Sequence, residues 1–393
     1  MGWYLGWTPG PKEISAVGNV NSIWRNHKPR RFYIVIRKSP VLNGKQGFVK
    51  YSSSLRLRGP DTAISGTGFL MLPAWLMMLL VLCGPAGCSQ STSRPLPPKV
   101  SLSAAEAVVQ QTAQDSRSAV RADTVQAVEN LHRPLAEQIV AAALHDASRP
   151  VRFAAAMVAG RRRMKSLEPQ LKSLLHDPDP SVRIAAVYAL ARLGDSSHMN
   201  MLPMMLASSN PVIRANAAMV LGRLGDASAI GLLRTLSDDP NHSVKLVVTS
   251  ALARLGYKRA IKSLIAMDLS GDTADHLFAL STCRSLDNPL AVNVLLAGLH
   301  DTMAEAQLIA ARGLGQRGSV AGIKIALTEA ASTDPGLRAL AALALGSIPS
   351  PASEPALRTL LQDKNIRVRV AAAAGLINLH DYAKRVASME KAP

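Results

Sequence analysis

Nine polar or charged side chains recur along this chain at a constant interval, and they are the first candidates for its chemistry. Each stands 31 residues after the last, without insertion or deletion, at Arg121, Arg152, Arg183, Arg214, Lys245, His276, Gln307, Arg338 and Arg369. A second row, six residues earlier, comprises Asp115, Asp146, Asp177, Ser208, Asp239, Ser270, Asp301, Ser332 and Asp363. Such rows of guanidinium and carboxylate groups either form ion pairs within the fold or bind a ligand. A fixed period of this length is typical of stacked two-helix repeats.

Other reactive side chains form no recognisable catalytic or metal-binding pattern. Cys283 stands alone in the repeats, in a slot that other copies fill with Leu, so we expect a buried thiol. His145, His176 and His300 share one repeat phase, but the intervening copies do not continue the row. The sequence contains no zinc-type spacing, phosphate-binding glycine loop or nucleophile elbow. We therefore predict no catalytic residue, no metal and no cofactor.

Two groups of residues are candidates for a partner surface. Three consecutive repeats in the middle of the array lack arginine at their position in the arginine row and carry Lys245, His276 and Gln307 instead. The repeat pattern is therefore least regular there. Arg161, Arg162 and Arg163 form the densest basic cluster of the repeats. We interpret this cluster as a solvated loop between hairpins or as a surface for an anionic partner.

Within one repeat, the apolar spacing predicts a helical hairpin. Residues 182–193 place apolar side chains at i, i+3, i+4 and i+7, and residues 167–175 do the same for a shorter helix. The turn at 176–181 contains two prolines and polar residues able to cap the next helix. Gly194 follows the second helix, where glycine suits a left-handed C-terminal cap. One hairpin cannot bury both faces, so neighbouring copies must stack.

The unit at 177–194, Asp-Pro-Asp-Pro-Ser-Val-Arg-Ile-Ala-Ala-Val-Tyr-Ala-Leu-Ala-Arg-Leu-Gly, resembles the short HEAT-like repeat of the phycobilisome-lyase type. The resemblance covers roughly residues 104–380. It implies an all-α fold, a right-handed α-solenoid of about nine 31-residue hairpins. It also implies that Arg121, Arg152, Arg183, Arg214, Arg338 and Arg369 pair with the Asp row as an internal ladder. HEAT-like deoxyhypusine hydroxylases bind iron through His-Glu motifs, and no His-Glu dipeptide occurs here.

The first third of the chain has a different composition from the repeats. Residues 1–70 carry eleven Lys and Arg against Glu13 and Asp61, a local charge of +9 within the total of +18. An apolar run over 69–83 then leads to Ala86-Gly87-Cys88, which resembles a bacterial lipoprotein signal peptide with Cys88 as the lipidated residue. The alternative is an uncleaved single-pass anchor over 66–87. Either reading puts the repeats outside the cytoplasm, lipid-anchored or membrane-anchored in the cell envelope.

These observations divide the chain into four parts. We expect 1–54 to be disordered or the read-through of a misassigned start, 55–87 to be the signal peptide or anchor, 88–100 to be a Ser/Pro-rich tether, and 101–393 to be the repeats. The leading hypothesis is a non-catalytic, envelope-tethered scaffold for an unidentified protein partner, with no nucleic acid bound. Alternatives are a phycobilin-lyase-like or other HEAT-like enzyme accessory protein and a cytoplasmic nucleic-acid-binding protein.

Overall fold

The computed structural model describes residues 102–268 and 271–389, and within them it contains helices and turns but no strand. The helices form nine consecutive pairs. The first helices of the pairs are α1 (Ser103–Thr112), α3 (Pro134–Ala143), α5 (Glu168–Ser173), α7 (Met201–Leu206), α9 (Ala229–Arg234), α11 (Lys258–Asp268), α13 (Pro289–Gly298), α15 (Ile323–Glu329) and α17 (Ser353–Leu360). The second helices are α2 (Ser118–Ala127), α4 (Arg149–Arg162), α6 (Pro180–Leu193), α8 (Pro211–Leu224), α10 (His242–Arg254), α12 (Thr273–Cys283), α14 (Ala304–Gly315), α16 (Pro335–Leu345) and α18 (Ile366–Met389). The predicted α-solenoid of hairpins is confirmed.

Short polar residues and proline start the second helices, as the turn sequence predicts. The Asp179 carboxylate accepts hydrogen bonds from the backbone N–H groups of Ser181 and Val182, and Pro180 occupies the first turn, where no N–H is needed. Gly194 ends the same helix with φ of 106°, in the left-handed region that glycine adopts without strain. The glycine cap inferred from the sequence is confirmed at this position.

The second helices form an inner layer and the first helices an outer layer. Each inner helix packs against the inner helices before and after it and against the outer helix of its own pair. As a result, α6 is buried on nearly every side, including the small Ala186 and the large Tyr188. The core is therefore one continuous apolar cluster running through the stack, as expected where no hairpin is stable alone.

The inner layer closes on itself, which the sequence did not predict. The last helix, α18, packs against both α1 and α2 of the first pair. Polar contacts also join the first and last repeats. The Asn130 amide donates to Asn378 Oδ1 at 2.7 Å, and Arg367 Nε lies 2.8 Å from Asp123 Oδ2. The described repeats thus form a ring of nine pairs.

Glycine and alanine set the distance between neighbouring inner helices. A Cβ atom built on Gly222 would lie 2.6 Å from the Cα of Ala251, and one built on Gly346 would lie 2.2 Å from the Cα of Gly375. Both distances are shorter than any side chain tolerates. The backbones at these crossings therefore meet directly, which requires residues without a Cβ.

Several sequence interpretations fall outside the described residues. They are the upstream segment 1–54, the signal or anchor 55–87, the tether 88–100 and the lipidation candidate Cys88. Among the helices of residues 102–268 and 271–389, none combines the length and apolarity that crossing a bilayer requires.

Candidate functional site: an arginine-lined cavity

Four arginines of the row join their own repeat to the next one. Arg152 Nε donates to Asp177 Oδ2 at 2.7 Å and its Nη2 to Oδ1 at 3.0 Å, while Nη1 donates to the backbone carbonyls of Asp146 and Ala147 in its own turn. The same two-sided geometry joins three further pairs, Arg121 with Asp146, Arg214 with Asp239 and Arg338 with Asp363. Because both ions are mostly buried and bidentate, these contacts are strong in this setting.

The aspartates of this row also hold the turn that precedes each inner helix. Asp177 Oδ1 accepts from the backbone N–H of Asp179 at 2.9 Å. Asp363 accepts the equivalent N–H of Asn365, and the hydrogen bond from the Arg338 guanidinium lowers the pKa of Asp363. Where Ser208 replaces aspartate, its hydroxyl accepts the turn N–H of Asn210, so the turn survives although Arg183 has no carboxylate to bind.

The two ends of the row differ from its interior. Asp115 lies in the first turn and pairs with Arg117 at 2.9 Å, since no earlier described repeat offers it an arginine. Arg369 donates to the carbonyls of Asp363 and Lys364 within its own turn.

The three consecutive departures from the arginine row lie in the same structural positions as the arginines. His276 lies between two carboxylates, with Nε2 2.9 Å from Asp301 Oδ2 and Nδ1 3.0 Å from Asp268 Oδ1. The Gln307 amide donates to the Asp301 carbonyl at 2.6 Å, as an arginine would. Lys245 is partly buried beside Asp239, whose pKa it helps to lower. These side chains are thus held within the ring, and their role as a partner surface stays a prediction.

The basic cluster at 161–163 is not a loop. Arg161 and Arg162 form the last turn of α4, and Arg163 caps it with φ of 51°. Arg161 donates to Glu129 at 2.5 and 2.8 Å, and Arg162 donates to the Leu131 carbonyl at 2.7 Å. Only Arg163 is freely exposed, so the loop interpretation is wrong for the first two.

Arg161 belongs instead to a second periodic row that our sequence reading missed. Arg161, Arg192, Arg223 and Arg254 stand 31 residues apart, each at the C-terminal end of an inner helix. Arg284, the residue that caps the C-terminus of α12, and Arg312 on α14 join them out of phase. We call these six residues the arginine cluster. The 31-residue period identifies the first four members in the sequence, whereas the last two can be assigned to the cluster only from the tertiary structure.

The arginine cluster lies on the inner face of the ring. Arg284 and Arg223 interact electrostatically although their repeats are not neighbours, and so do Arg312 and Glu129. Repeats that are not adjacent in the stack approach one another only across the ring. The cluster therefore converges on a common centre.

Poor solvation and mutual repulsion act on these guanidinium groups. Burial lowers the pKa of Arg223 and of Arg312 to about 10 and that of Arg284 to about 9, with Arg312 and Arg223 adding to the effect on Arg284. Burial also lowers the pKa of Arg254, with Arg284 contributing. Because the three values given stay well above 7, Arg223, Arg284 and Arg312 remain charged at neutral pH.

A cavity of about 630 Å³ is open to solvent at this centre. Arg161, Arg192, Arg223 and Arg254 line it, together with Tyr188. Ser285, Asp287 and Asn288 complete a polar wall, and Gly222, Gly225, Gly256 and Ile261 are also on its surface. Because the cavity is open to solvent, Arg223 and Arg254 keep part of their surface accessible although burial lowers the pKa of both.

Cys283 and the histidines form no second centre. Cys283 is 1% exposed, and burial raises the pKa of its thiol to about 11, so it remains protonated at neutral pH. No group of three His, Cys, Asp or Glu side chains in the described residues is arranged to hold a metal ion.

Comparison with known proteins agrees with the repeat geometry. The HEAT-repeat family matches residues 136–207, 199–275 and 323–391, which together exceed half of the 393 residues. The chain belongs to the HEAT-repeat family. HEAT repeats point to a role in binding protein partners. No curated protein matches the chain.

Several solved structures resemble this HEAT-repeat protein. The CpcE–CpcF complex of phycocyanin lyase from Nostoc is 20% identical, with a TM-score of 0.40, over 58% of this chain and 93% of that chain. Human deoxyhypusine hydroxylase is 20% identical, with a TM-score of 0.33, over 71% of this chain and 97% of that chain. An engineered protein is 19% identical, with a TM-score of 0.26, over 70% of this chain and 88% of that chain. At these values none of the three bears on activity or partners.

Proposed function

We propose that this HEAT-repeat protein is a non-catalytic scaffold tethered to the cell envelope. It holds a partner protein on the outer face of the repeats in which His276 and Gln307 replace arginine. The observation that carries the proposal is an exposed apolar stripe on α13. Leu290 and Leu296 are 48% and 46% exposed, and Val320 in the following repeat is 51% exposed.

The stripe lies on one side of its helix. Leu290, Asn293, Leu296 and Ala297 are all exposed, and at 3.6 residues per turn they fall within an arc of about 120°. The opposite side of α13 packs into the core through Val294 and Leu295. Large apolar side chains that face solvent next to one another favour a protein interface. The stripe belongs to the same part of the array in which His276 and Gln307 replace arginine.

Capture from envelope extracts tests the docking surface. The full chain is compared with L290S/L296S and with the matched variant M204S/V212S, which removes exposed apolar side chains from α7 and α8, the fourth pair of the ring. We expect a partner, identified by mass spectrometry and rebound in purified form, to be lost with L290S/L296S alone. Equal retention by both variants would contradict the proposed surface.

The tether is tested separately through Cys88. Cells expressing the full chain are labelled with radioactive palmitate, with Cys88→Ala as the control. We expect label in the unmodified chain and none in the variant. An unlabelled chain that still sediments with membranes would indicate the single-pass alternative, and an unlabelled chain in the soluble fraction would contradict the envelope address.

A further inference from the structure

The arginine cluster carries more positive charge than its surroundings neutralise. Among the described residues, only Glu129 forms an ion pair with a member of the cluster, through Arg161. Asp287 also lines the cavity, but it is exposed and bonded to none of the six. Arg284 donates to the neutral Gln316 Oε1 at 3.3 Å. Six guanidinium groups thus face two carboxylates.

Individual donor atoms in the cluster are sealed from water without a partner. The Nε–H groups of Arg192, Arg223 and Arg312 have almost no solvent exposure and donate to no acceptor among the described residues. A buried donor left unsatisfied costs free energy, and an unpaired buried charge costs more. Evolution normally removes such groups unless a ligand satisfies them, so the unpaired donors of Arg192 and Arg223 on the wall of one cavity indicate a ligand of opposite charge.

We propose that the cavity binds a compact multivalent phosphate anion, either a free polyphosphate or a bis-phosphorylated headgroup. This site lies on the inner face of the ring and is separate from the outer α13 stripe. A negative result for the partner protein or for the tether would therefore not contradict this phosphate site.

Size and donor geometry favour a compact phosphate over an acidic peptide. A volume of about 630 Å³ suits a small molecule, since ligand pockets typically measure about 300–1,000 Å³. Guanidinium groups bind phosphate oxygens through paired N–H donors, and several arginines around one centre can share one multivalent anion. A peptide would also bring backbone N–H groups, which need acceptors in a wall dominated by donors.

Calorimetric titration of the full chain in detergent micelles with inorganic tripolyphosphate tests the site. R223Q/R254Q removes two charges from the cavity wall on α8 and α10. The matched control R234Q/R259Q removes two exposed charges from the outer helices α9 and α11. Circular dichroism establishes that both variants are folded. We expect saturable binding with one ligand per chain, a Kd at least tenfold higher in R223Q/R254Q, and a change below twofold in the control.

The same titration identifies the source of the phosphate. If lipid A mixed into the micelles weakens tripolyphosphate binding in the unmodified chain but not in R223Q/R254Q, the ligand is a lipid headgroup. If lipid A has no effect while tripolyphosphate still binds, the ligand is free. Three results would overturn the proposal: no saturable binding, equal weakening in both double variants, or cavity-dependent binding of hexaglutamate without binding of tripolyphosphate.

Discussion

At the scale of single residues, two kinds of arginine in this protein have opposite effects on stability. Arg338 is nearly buried, bidentate with Asp363, and bonded to the carbonyls of Ser332 and Thr333. Arg312 is poorly solvated, and its Nε has no partner. The first arginine holds two repeats together, whereas the second is kept at a cost that a bound anion would offset.

Replacing each of these arginines with methionine should change stability in opposite directions. Arg338→Met leaves Asp363 and two carbonyls without a donor and should lower the free energy of unfolding by about 2–4 kcal/mol. Arg312→Met should raise it by about 1 kcal/mol, because the cost of the buried charge is fully present at pH 7, below its lowered pKa of about 10. Urea denaturation at pH 7 without phosphate measures both. Destabilisation by both substitutions would show that Arg312 is structural.

At the scale of helices, the crossing of neighbouring inner helices depends on small residues. Gly346 lies where α16 meets α18, and an added Cβ would lie 2.2 Å from the Cα of Gly375. Gly231 lies on the outer helix α9, where an added Cβ would meet nothing within 4 Å. These two glycines therefore differ in what they contribute to the fold.

The same alanine substitution should separate these roles. Gly346→Ala should destabilise the protein by about 1–3 kcal/mol, because two backbones must move apart. Gly231→Ala should stabilise it by about 0.5–1 kcal/mol through helix propensity alone. Thermal unfolding of the two variants provides the comparison, and equal effects would show that the inner crossing is not tight.

At the scale of the whole repeat region, a buried carboxylate where the ring closes makes stability depend on pH. Asp123 on α2 is 6% exposed, and burial raises its pKa to about 7, with Arg367 on α18 acting in the opposite direction. The folded protein therefore binds this proton more tightly than the unfolded chain, whose value is near 3.8. Stability from this group is greatest below pH 4 and falls as the pH rises towards 7.

Asp123→Asn should remove that part of the pH dependence. We expect the variant to match the unmodified protein at pH 4 and to exceed its stability at pH 8 by about 1 kcal/mol. Asp115→Asn is the control of opposite sign, because hydrogen bonds from Arg117 lower the pKa of Asp115 to about 2. That variant should lose stability at pH 8 and recover near pH 2. Denaturation midpoints measured from pH 2 to 8 test both expectations. A midpoint that does not change with pH in the unmodified protein would contradict the role assigned to Asp123.

The sequence by itself determined the helical hairpin, its period and the glycine caps. These follow from local rules, since proline, short polar residues and glycine act within a few positions of themselves, and the apolar spacing identifies each buried face. The second arginine row from 161 to 254 was equally readable, but its members resemble ordinary basic residues at helix ends. Nothing local distinguishes them from solvated charges.

Only the tertiary structure decided that the array closes and what its centre contains. Closure depends on a small rotation between successive repeats, summed over nine of them, and no single repeat encodes that sum. Arginines from four consecutive repeats line one cavity, and Arg284 and Arg312 approach this cluster although they break the period. Their lowered pKa values and unsatisfied donors arise from this convergence, because burial and repulsion between distant residues exist only after the ring has formed.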